Sequence, residues 1–155
     1  MNNSSFGFEK PEDSLGFLLW QITTTWQRSI KRALDPFGIT HPQFVIMASL
    51  LWFQEKKQIS TQVMIANMTG LDKMTVSTAV RTLLSLEYVT RAEHKTDTRA
   101  KTVQLTVSGK KLIAKMVPIV ESVDAEFFGI LSVKEQKGLA QSFLSLHRKS
   151  GDFNE

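Results

Sequence analysis

Apolar residues recur every three or four positions through most of the chain and alternate singly in two short stretches, a pattern that predicts helices with one small β-hairpin among them. Leu15, Leu19, Ile22, Trp26 and Ile30 fall on one face of a first helix. This helix is expected to begin near Pro11 or Glu12, where acidic residues suit the helix dipole, and to end before Pro36 and Gly38. Phe17, Leu18 and Trp20 lie off that stripe, so the helix must be covered on more than one side. Thr40-His-Pro-Gln43 reads as a capping box for a second helix running to about Gln54. Ser60 opens a short third helix that ends near Asn67, Gly70 supplies a turn, and Asp72 caps a fourth helix reaching about Glu87. Tyr88 to His94 and Lys101 to Val107 read as strands, with Val103, Leu105 and Val107 pointing inward at period two. Ser108 then starts a long helix carrying Leu112, Met116, Val120, Val123, Phe127 and Ile130 or Leu131 in register, with a kink expected at Pro118. Ser132-Val-Lys-Glu135 is a second capping box, and a last helix presents Leu139, Phe143, Leu144 and Leu146.

Helix, Gly turn, helix and hairpin in this order make a mainly α fold with a small β-wing, a winged helix-turn-helix. We expect one domain over residues 1–155, with a binding lobe at 38–107 and helical regions at 11–35 and 108–149. Those flanking helices have more apolar surface than one such lobe can hide. They are expected to intertwine with a second copy as N- and C-terminal dimerisation helices, giving a homodimer.

The fourth helix carries the chemistry. Val76, Ala79, Val80, Leu83, Leu84 and Leu86 occupy one half of its circumference, and the other half holds Met74, Thr75, Ser77, Thr78, Arg81, Thr82 and Ser85. No carboxylate occurs from Lys73 to Leu86. Ser and Thr weaken exposed helix faces by offering the backbone competing hydrogen bonds, so helix stability did not select them. Short hydroxyls allow close approach to a duplex, where a carboxylate would repel phosphate. We therefore expect Thr75, Ser77, Thr78 and Arg81 to read the major groove of double-stranded DNA, with Ser60, Thr61, Lys73, Lys95 and Lys101 on phosphates. Between the strands, His94-Lys-Thr-Asp-Thr-Arg99 is a basic tip suited to the minor groove, where Arg99 would enter and Asp97 would orient it. The alternative is a winged-helix protein-protein interaction module without specific DNA binding.

Gly38-Ile-Thr-His-Pro-Gln-Phe44, Asp72-Lys-Met-Thr-Val-Ser-Thr78, Asp97-Thr-Arg99-Ala and Leu105-Thr-Val-Ser-Gly109 follow in an order and spacing that resembles the MarR family of bacterial and archaeal winged-helix regulators. The resemblance runs from about Ser14 to His147. It implies a dimeric transcriptional regulator, places the family's wing arginine and aspartate on Arg99 and Asp97, and places its recognition positions on Thr75 to Arg81. It also implies a small aromatic effector in a cleft between the dimerisation helices and the binding lobe, for which Trp20, Trp26, Phe44 and Trp52 are the candidate lining residues. Two positions depart from the family pattern. Glu87 stands where Gly usually ends the recognition helix, so a left-handed termination is costlier and a locally different helix end is expected. Thr78 stands where an Arg is common, and base preference should change with it.

Composition adds exclusions. The chain has 155 residues, 42% hydrophobic and 22% charged, which are globular values, and a net charge of +4 that suits a polyanionic partner without requiring one. With no cysteine, thiol sensing, disulfides and cysteine-held metals are excluded. His41, His94 and His147 lie in three separate elements without ligand spacing, and Glu121 and Asp124 form a short acidic face of ordinary solvated kind, so no metal or cofactor is expected. No phosphate loop, nucleophile elbow or His-Glu motif suggests an enzyme or catalytic residue. The start, Met-Asn-Asn-Ser-Ser, lacks a signal-peptide pattern, and the longest apolar run, Phe44 to Phe53, is too short to span a bilayer. No membrane association is expected, and a cytoplasmic location is.

Overall fold

The computed structural model describes residues 5–93, 96 and 101–151. The described residues form six α-helices and one two-stranded sheet: α1 (Leu15–Leu34), α2 (His41–Glu55), α3 (Gln62–Thr69), α4 (Lys73–Ser85), β1 (Val89–Glu93), β2 (Lys101–Leu105), α5 (Val107–Phe128) and α6 (Val133–Gly151). The chain divides into two compact units, Met1–Val120 and Glu121–Glu155, and the break falls inside α5. The strands are antiparallel, pairing Val89 with Leu105 and Glu93 with Lys101.

Local chemistry sets most of these boundaries. Thr40 and Gln43 close the expected box at α2, the Thr40 amide donating to Gln43 Oε1 at 2.9 Å and the Gln43 amide to Thr40 Oγ1 at 3.4 Å. Ser132 and Glu135 do the same before α6, at 2.8 and 3.3 Å. Three expected ends are displaced. Pro11–Asp13 form a separate 3-10 turn, and α1 begins after Ser14, whose hydroxyl accepts from the Phe17 amide. α3 is capped by Thr61 rather than opened by Ser60. Val107, expected to end a strand on its inward face, is instead the first residue of α5 and is exposed. α5 continues through Pro118 to Phe128.

The core lies in the first unit, where the full-size side chains Ile30, Leu34, Ile46, Met47, Leu50, Ile65, Val76, Val80, Leu83, Val103, Ile113 and Met116 are completely enclosed. They come from α1 to α5 and β2, so one core ties the C-terminal half of α1 and the start of α5 to the winged helix-turn-helix. The N-terminal half of α1 contributes nothing to it: Leu15 is 83% exposed and Trp20 70%. In the second unit Ile130, Val133, Phe143, Leu144 and Leu146 are exposed.

At the end of α4, Glu87 adopts the left-handed conformation (φ 58°) that the family pattern gives to glycine, so the local difference expected from the sequence does not occur. Its amide donates to the Leu84 carbonyl and that of Tyr88 to the Leu83 carbonyl, both at 3.0 Å, closing the helix. Its own carbonyl accepts from Thr106 Oγ1 at 2.7 Å and Ser108 Oγ at 3.1 Å. These bonds from across the hairpin hold a conformation that a Cβ disfavours. Glu87→Gly should therefore raise stability by about 1 kcal/mol, the strain released less the added freedom of the unfolded chain. A melting temperature at or below that of the wild type would show that the glutamate side chain contributes more than its backbone strain removes.

Candidate nucleic-acid interface

α4 starts where Asp72 turns its carboxylate back onto the helix. Asp72 Oδ1 accepts from the Thr75 amide at 2.8 Å, and Oδ2 accepts from the Thr75 hydroxyl. The side-chain bond first, and then the backbone bond from Thr75, hold the Asp72 carboxyl below its ordinary value. This acid belongs to the helix end, bound to the amides it caps.

Beyond the cap, Val76, Ala79, Val80 and Leu83 are buried against the rest of the unit. Lys73, Met74, Thr78, Arg81, Thr82 and Ser85 are exposed, while Thr75 and Ser77 are half-buried. At 100° per residue, Met74, Thr78, Arg81 and Ser85 share an arc of about 60° at the centre of the outward face. Thr82 and Ser85 return their hydroxyl protons to the carbonyls of Thr78 and Arg81, at 3.2 and 3.1 Å. Among the described residues Arg81 makes no ion pair.

The other sequence candidates are placed differently. Ser60 is 1% exposed, its hydroxyl donates to the Val103 carbonyl at 2.7 Å, and its carbonyl accepts from the Val103 amide at 3.0 Å. It fastens the start of the helix-turn-helix to β2, beside an isolated bridge between Thr61 and Thr102, and its burial removes it as a phosphate contact. Thr61 uses its hydroxyl oxygen to cap α3, accepting from the Met64 amide at 3.2 Å. Lys101 stands opposite Glu93, its Nζ 3.4 Å from Oε1. His94, Lys95, Asp97 and Arg99 lie outside the described residues.

The four aromatic candidates differ in burial. Phe44 is a core residue, Trp20 is exposed, and Trp52 is exposed with Lys56 Nζ 4.9 Å from its ring centre. Trp26 is half-buried and meets His41 edge-on, the ring centres 5.1 Å apart. Helical spacing places these rings on helices but cannot distribute them between core and surface. A cavity of about 690 Å³ opens beside His41, lined also by Gln27, Lys31, Asp35, Thr40 and Leu71, and none of the four aromatics lines it. Sequence reading missed it because its walls come from three separate segments. Among the described residues no cluster of His, Asp or Glu is placed to hold a metal ion, and no helix is long and apolar enough to cross a membrane.

Residues 35–123 match the ArnR1-like winged-helix domain family. The HTH-type transcriptional regulator YdcH of Bacillus subtilis is 37% identical over 128 residues, covering 83% of this chain and 87% of YdcH. Among solved structures, a mutant MarR from E. coli complexed with operator DNA matches with a TM-score of 0.75 at 22% identity, covering 85% of this chain and 92% of that one. BpsR of Bordetella bronchiseptica matches with a TM-score of 0.78 at 23% identity, covering 94% and 99%. YdcH is an HTH-type transcriptional regulator, and the MarR structure holds operator DNA. A domain match over more than half of the chain and a regulator so similar along most of its length place this chain in the ArnR1-like winged-helix domain family, among the HTH-type transcriptional regulators, and its helix-turn-helix and two-stranded wing have the fold of MarR.

Proposed function

We propose that the protein is a homodimeric repressor that binds a pseudo-palindromic operator in double-stranded DNA and releases it when a small aromatic effector binds. The observation that carries this reading is the outward face of α4: exposed, free of carboxylates, and centred on Thr78 and Arg81. In this reading Thr75, Ser77, Thr78 and Arg81 face the major groove, and Thr61, Lys73, Lys95 and Lys101 lie along phosphates. Arg99 enters the minor groove with Asp97 orienting it. Dimerisation is supported by the exposed apolar residues on the first half of α1 and by those in the second unit, which a second copy would cover. A two-fold dimer of the whole chain as one domain would set two α4 helices about one turn of DNA apart. The effector reading is supported by the cavity beside His41, and by BpsR, whose DNA binding is regulated by 6-hydroxynicotinic acid. An effector acts here by preferring the geometry in which the two helices miss successive grooves. In this reading the protein acts on DNA in the cytoplasm.

The test is selection of bound duplexes from a random library at near-physiological salt, with wild type and Arg99→Glu side by side. The expected result is a palindromic consensus for the wild type that Arg99→Glu fails to enrich. No consensus above non-specific binding would favour the protein-interaction module instead.

A further inference from the structure

Met74 is the residue on the α4 face that the rest of its chemistry does not explain. It is 79% exposed, in the first turn of the helix, at the centre of an arc otherwise made of Thr78, Arg81 and Ser85. A solvated face favours Gln, Lys or Glu there, which match Met in helix propensity and are better hydrated. Thr75, the neighbour expected to read bases, is half-buried, and its hydroxyl proton goes to Asp72. Asp72 is in turn held on the helix end, so its carboxylate is turned onto the helix rather than projecting beside Met74. What remains at the leading end of the face is a flexible, unbranched thioether that adapts to the shape it meets.

On the major-groove edges of the four bases, the only apolar group is the C5-methyl of thymine. We propose that Met74 is a specificity-determining residue that selects thymine in each half-site by covering that methyl group. The assignment rests on the DNA-binding reading above and adds one base preference to it. Met74 precedes Arg81 by seven residues, about 10 Å along the helix, so the thymine and the base that Arg81 reads are different positions of one half-site.

The probe is thymine itself against deoxyuridine, which pairs identically and lacks only the methyl group. Wild type and Met74→Ala are each taken through selection from a random duplex pool, and the enriched duplex is then titrated with thymine or deoxyuridine at each position. Wild type should lose about fourfold in affinity per half-site at one thymine position, the worth of burying one methyl group, and about 15-fold when both half-sites are changed. Met74→Ala should bind the two duplexes equally at that position, and Met74→Leu should keep the difference. Equal binding of both duplexes by the wild type, or an unchanged loss in Met74→Ala, overturns the assignment while leaving the regulator reading in place. Absence of any consensus overturns both. Because Met74 is exposed and Ala is the stronger helix former, folding of the variant is not at issue, and coincident circular dichroism spectra check it.

Discussion

Gly109→Ala should destabilise the protein by about 3 kcal/mol, the upper end for overpacking, and lower its melting temperature by about 10 °C. Gly109 lies in the first turn of α5, and a Cβ built there stands 2.0 Å from the Tyr88 carbonyl oxygen. That oxygen is not free to retreat. It accepts from the Thr106 amide at 3.0 Å, while Thr106 Oγ1 accepts from the Gly109 amide at 3.0 Å and donates to the Glu87 carbonyl at 2.7 Å. The end of α4, the start of β1 and the start of α5 thus share one hydrogen-bonded junction, and a methyl group at Gly109 must open it. The sign of the effect is diagnostic. In an unconstrained helix position the same substitution gains about 1 kcal/mol, because alanine is the better helix former. Thermal unfolding followed by circular dichroism measures it, and a melting temperature equal to or above that of the wild type would show that α5 moves aside without loss.

The same junction marks the boundary between what is legible in the sequence and what is not. Thr40 with Gln43, Asp72 with Thr75 and Ser132 with Glu135 are bonded over three residues, so the chemistry that forms them is written locally and their helices start where the residues imply. Val76, Val80 and Leu83 bury because their spacing matches the helical period. The α4 face is readable for the same reason, except that Met74 stands among its residues without a role that the pattern assigns. Ser60 shows the limit. A serine before a helix resembles a cap, but its partner is Val103, 43 residues away, and only the folded hairpin reveals that it is a buried tie. Glu87 shows it too, since its left-handed backbone is held by Thr106 and Ser108 from 19 and 21 residues along the chain. Trp20, Trp26, Phe44 and Trp52 do lie on helices, as their spacing implies, but the division between core and surface depends on what each helix packs against.

Arg81→Ala should weaken specific binding by roughly 1–3 kcal/mol per half-site, so that a dimer loses roughly 30-fold to 10⁴-fold in operator affinity. Arg81 is exposed at the middle of the α4 face, has no ion pair among the described residues, and offers five donors in a planar fork that matches guanine O6 and N7. Loss of affinity alone does not separate a base contact from a phosphate contact, because alanine also removes a positive charge. Arg81→Lys separates them. It keeps the charge and abandons the bidentate geometry, so a base-reading Arg81 predicts a salt slope close to that of the wild type together with relaxed preference at one position per half-site. A phosphate-binding Arg81 predicts the reverse: near wild-type discrimination in Arg81→Lys, and in Arg81→Ala a uniform loss over all sequences with a salt slope smaller by about one per chain. Titration of specific and scrambled duplexes at several salt concentrations distinguishes the two. If Arg81→Ala left both affinity and base preference unchanged, the outward face of α4 would not be the surface that meets DNA, and the thymine assignment of Met74 on that face would fall with it.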